Sequence, residues 1–107
     1  MIAALILPFA LLQAEAAPAS ATDSRFEQCV ALAKQDPERG YEEAMAWAAE
    51  AQQMQAFRCA AMALIEQHRY ATGATRLQSL ASAVNPEETA LRSALWSQAG
   101  NAWLLAR

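Results

Sequence analysis

Few residues in this chain have types and spacings that could do chemistry. His68 is the only histidine among 107 residues, and Cys29 and Cys59 are the only cysteines. A protein metal site needs several ligands at short, regular spacings, as in CxxC or HExxH. Neither cysteine stands at such a spacing from His68, so no metal ligand set is expected. A nucleophilic serine needs a tight elbow such as GxSxG. Ser79, Ser82 and Ser97 lie in no such context. Glu42-Glu43 and Glu87-Glu88 are adjacent pairs, and adjacent residues on a helix point in different directions. They read as solvated helix surface rather than an acid–base pair. Three glycines form no phosphate-cradling loop. The sequence thus points away from an enzyme and implies no cofactor.

The cysteines are best read together with the N-terminus. Ile2 to Leu12 is an apolar run interrupted only by Pro8, too short for an ordinary membrane-spanning helix. Ala14-Glu15-Ala16 and Ala19-Ser20-Ala21 both fit the small-x-small pattern of a signal-peptidase site. The expected organisation is a signal peptide over 1–21 and one domain over 22–107, exported to the periplasm or secreted. A membrane anchor through residues 2–12 is the alternative. Behind a signal peptide, an even cysteine count reads as a Cys29–Cys59 disulfide in an oxidising compartment. The other reading is two buried free thiols on apolar helix faces.

The formal net charge is −3. Acidic and basic residues are interspersed, so there is no basic stripe for nucleic acid and no polybasic segment for anionic lipid.

The elements that must position these residues are all helical. Phe26, Cys29, Val30 and Ala33 fall at i, i+3, i+4 and i+7, and Ser24 with Glu27 suggests a capping box at the start of that helix. Asp36-Pro37 ends it and opens a second, with Tyr41, Ala44, Met45 and Ala48 on one face. Glu50 to Gln55 contains neither Gly nor Pro, so a continuous helix from Pro37 to His68 is one reading. Repeat logic instead puts a turn near Gln52 and Gln53. Met54, Phe57, Ala61, Leu64 and His68 give a third face; Tyr70, Ala74, Leu77, Leu80, Ala81 and Val84 give a fourth. Asn85-Pro86-Glu87-Glu88 reads as the start of a fifth helix, with Asn as cap. Leu91, Leu95, Ala99 and Ala102 are its apolar face, and Trp96 and Trp103 are expected in the core beside it.

The pattern repeats. Cys59 follows Cys29 by about 30 residues, as Tyr70 follows Tyr41 and Ala74 follows Ala44. Trp96-x-x-Ala99-Gly100-x-x-Trp103, the looser Phe57-x-x-Ala60-Ala61-x-x-Leu64, and Tyr70, Gly73 or Ala74, and Leu77 on the following helix resemble the tetratricopeptide repeat (TPR). The resemblance implies an all-α fold of stacked antiparallel helical hairpins, a TPR-like α-solenoid of five helices and about two and a half repeats. It also implies that Cys29 and Cys59 lie side by side on successive first helices.

In the family, the first helices line a groove that receives a protein or peptide partner. Carried over, this puts Arg58, Met62 and Glu66 on one wall, Ser97 and Asn101 on the next, and Gln55 at the edge. Arg58 and Asn101 would together hold a carboxylate or peptide carbonyl. The implied function is an exported protein–protein interaction scaffold. The alternative is an assembly subunit that forms a homodimer through its uncapped C-terminal helix.

Overall fold

The computed structural model describes residues 20–107. They form five α-helices with no strand among them: α1 (Ala21–Gln35), α2 (Pro37–Ala51), α3 (Met54–Glu66), α4 (Tyr70–Ala83) and α5 (Thr89–Leu105). The expected signal peptide falls almost wholly outside the described residues.

Local chemistry accounts for most boundaries. The first helix starts a turn earlier than Ser24. Ser20 is the cap and its hydroxyl accepts the Asp23 N–H at 3.0 Å, while Ser24 already donates its N–H to the Ser20 carbonyl. Ser20 with Asp23 thus supplies the cap and first-turn acid expected of Ser24 and Glu27. Asp36 alone separates α1 from α2. Its N–H closes α1 on Leu32 O, and its carboxylate accepts the Arg39 N–H at 3.2 Å to open α2, with Pro37 in the first turn.

The break at Gln52 exists and excludes a continuous helix from Pro37 to His68. Gln52 takes the left-handed conformation (φ 49°) and Gln53 is extended. His68, also left-handed (φ 65°), ends α3. The His68 N–H bonds to Ile65 O and the Arg69 N–H to Leu64 O, both at 2.9 Å, the Schellman arrangement that usually employs glycine. Asn85 caps a turn rather than a helix. Its side chain accepts the Glu87 N–H at 2.9 Å, and α5 begins only at Thr89.

Connections this short make successive helices antiparallel neighbours. Ala33, late in α1, meets Gly40, early in α2, while Arg25 at the other end pairs with Glu50. Gln67, just past α3, reaches the Pro37 carbonyl at the start of α2. Helix α3 is central: it packs on α1, α2 and α4, and α4 packs in turn on α5.

Much of the core is alanine, which lets helix backbones approach closely. One cluster joins Cys29, Ala44, Trp47, Ala48, Ala56, Cys59 and Ala60; a second joins Ala61, Leu77, Ala81, Val84, Leu95 and Ala99. The third helix buries Ala56, Ala60 and Ala63 along with Cys59, Ala61 and Leu64, while Phe57 stays 36% exposed and His68 is exposed. Its buried surface is therefore wider than the Met54–Phe57–Ala61–Leu64–His68 stripe and centred elsewhere, because three helices surround it. Trp96 and Trp103 are not core: they are 42% and 40% exposed. The apolar face expected of α5 is otherwise found, with Leu95, Ala99 and Ala102 buried and Leu91 half-buried. No described helix is long and apolar enough to cross a membrane.

Candidate functional site

The disulfide fixes the first wall of the candidate site. Cys29 on α1 and Cys59 on α3 are bonded, with Cα atoms 6.3 Å apart, and both are buried. That separation lies within the range a disulfide accepts without backbone distortion. The bond holds α1 against α3, which sets Phe26 beside Arg58 and Val30 near Met62.

Arg58 joins three helices. Its guanidinium carbon lies 5.2 Å from the centre of the Phe26 ring on α1. Its Nε donates to Gln98 Oε1 on α5 at 2.8 Å. The cation thus has an aromatic face on one side and an amide oxygen on the other. Burial of the half-covered guanidinium lowers its pKa from the ordinary arginine value.

Two concavities lie on either side of this arginine. One, of 340 Å³, is lined by Phe26, Glu27, Val30, Ala31, Lys34, Arg58 and Met62. The other, of 170 Å³, is lined by Met62, Ile65, Glu66, Gln98, Asn101, Ala102 and Leu105. Met62 belongs to both, so they form successive parts of one wall drawn from α1, α3 and α5. The surface is apolar along Phe26, Val30, Met62 and Leu105. It carries cations at Lys34 and Arg58, acids at Glu27 and Glu66, and amides at Gln98 and Asn101.

The residues singled out from sequence divide accordingly. Met62, Glu66 and Asn101 come together around the smaller concavity, and Arg58 shares the larger one with Met62. Ser97 is exposed and lines neither. Gln55 is half-buried and also lines neither; its Oε1 is buried without a hydrogen-bond partner. The amide that meets Arg58 belongs to Gln98, one turn before Asn101 on α5. Sequence reasoning missed Phe26, Lys34 and Gln98. Gln98 precedes Asn101 by three residues and so shares its helix face, the one signal that could have found it.

Chemically the arrangement suits non-covalent recognition. Among the described residues no group of three His, Cys, Asp or Glu side chains could hold a metal ion. Glu42, Glu43, Glu87 and Glu88 are all exposed. No protein-family model, curated protein or solved structure matches this chain.

Proposed function

We propose that the chain is an exported TPR-like scaffold that binds an extended segment of a protein partner in the groove between α1, α3 and α5. The observation that carries this reading is Arg58, half-buried and held by Phe26 and Gln98 between two concavities that share Met62. A guanidinium anchored through Nε keeps its terminal N–H groups free to donate to a carboxylate or peptide carbonyl. Asn101 offers an amide to the backbone of an extended ligand. Phe26, Val30, Met62 and Leu105 offer apolar contact, worth about 1.5–3 kcal/mol for each ligand side chain fully covered. The pairing of α1 with α3 through the disulfide supports the repeat reading, since stacked hairpins place successive first helices side by side. The disulfide also supports an oxidising compartment.

The test is an Arg58→Ala, Asn101→Ala double substitution assayed with a peptide selected on the oxidised protein. Helicity by circular dichroism should persist and affinity should fall at least about tenfold. A change below about 0.5 kcal/mol with the fold intact would overturn the groove assignment.

A further inference from the structure

All three glycines of the chain lie inside helices, where glycine is less stable than alanine. Two have a clear structural reason. A Cβ at Gly40 would lie 2.7 Å from Ala33 Cβ, where α2 crosses α1. A Cβ at Gly73 would lie 2.6 Å from Ile65 Cγ1 and 3.0 Å from Ala61 O, where α4 crosses α3. Gly100 has none: a Cβ there meets nothing within 4 Å. It sits on the solvent side of α5, between Trp96 four residues before it and Trp103 three residues after. These spacings put all three on one stripe, and both tryptophans are exposed. No charged residue occurs between Arg92 and Arg107. Two of the three helical glycines, each the fourth residue of its helix, thus lie where a second helix approaches closely, and Gly100 lacks such a second helix among the described residues.

We infer that the second helix is α5 of another copy of the chain. The stripe is self-complementary, large–small–large about its centre, as a two-fold interface requires. An antiparallel crossing with the two-fold axis beside Gly100 sets Trp96 of each copy against Trp103 of the other. The glycines let the backbones approach while the indoles cover them. Each copy carries a net charge of −3, yet the stripe carries none, so like charges meet only at the rim, at Arg92 and Arg107. The surface is distinct from the groove, which uses the Asn101–Leu105 side of α5, and it stands whether or not the groove binds a peptide.

Sedimentation equilibrium of the purified protein, with its disulfide intact, tests the pairing. A reversible monomer–dimer equilibrium is expected, with a dissociation constant of about 1–100 μM. Gly100→Leu places a bulky side chain at the crossing but in open space on the monomer. It should weaken association at least about tenfold and leave the unfolding temperature of the dilute monomer undiminished. Trp96→Ala should weaken association similarly. A monomer at about 1 mM, or a dimer indifferent to Gly100→Leu, would overturn the inference. So would a monomer whose tryptophan emission shifts red when residues 2–12 are deleted, since the apolar leader would then be the cover.

Discussion

Removing the Cys29–Cys59 bond is the most direct quantitative test of the fold. The bond closes a loop of 30 residues. In the chain-entropy model, a cross-link of that span lowers the entropy of the unfolded chain by about 12 cal/mol/K, or about 3.6 kcal/mol at 25 °C. Local packing adds little in either direction for a Cys29→Ala, Cys59→Ala variant. Both positions are buried among Ala44, Ala48, Ala56 and Ala60, so the substitutions leave a small void and no unsatisfied polar group. Cys29 Sγ makes only a long contact, 3.9 Å, to Gly40 O, whose loss is minor. Equilibrium urea unfolding of the oxidised protein and the double variant should therefore differ by about 3–4 kcal/mol. The melting temperature should fall by about 15–25 °C. The denaturant slope should also rise on removal, because the unlinked unfolded chain is more expanded. A loss below about 1 kcal/mol with an unchanged slope would refute the reasoning. It would mean that helix packing alone already restricts α1 against α3 in the unfolded ensemble.

Two further outcomes follow from the backbone. Gln52 occupies the left-handed region with an exposed side chain, so Gln52→Gly should stabilise the protein by about 0.5–1 kcal/mol in urea titration. Gly40→Ala should do the opposite and cost about 1–3 kcal/mol despite alanine's better helix propensity, because the new Cβ meets the backbone of Ala33 as well as its side chain; a thermal melt separates the two signs.

Capping residues marked some helix boundaries and misplaced others: Ser20 rather than Ser24 caps α1, and Asn85 caps a turn. Asp36-Pro37 supplies a cap and a first-turn proline, and the helix pair turns there. The turn at Gln52 has no such marker; only the repeated spacing of the cysteines and tyrosines pointed to it. Faces were harder to read. In α3 the buried positions are mostly alanines, whose low hydrophobicity barely registers beside Met54 and Phe57, so the stripe of large residues drew the eye away from Ala56, Ala60 and Ala63. The candidate positions Met62, Glu66 and Asn101 followed from the repeat resemblance, and Gln98 shares the helix face of Asn101. Phe26 could not be found in this way, because its place at Arg58 depends on how α1 is rotated about α3, a relation that no local pattern encodes.

The tryptophans of α5 show why a correct pattern can still give a wrong burial. Trp96, Ala99, Gly100 and Trp103 have the types and spacing of a helix that packs on both sides, and one side is occupied: Ala99 is buried with Leu95 and Ala102 in contact with α4. The other side carries the two exposed indoles and Gly100, at which an added Cβ would meet nothing within 4 Å. Burial belongs to a helix and its neighbour together, whereas the spacing belongs to the helix alone. The exposure of Trp96 and Trp103 therefore does not argue against the packing pattern. It marks the face of α5 that the proposed pairing would cover, and the Gly100→Leu variant separates that role from any contribution to the monomer's own stability.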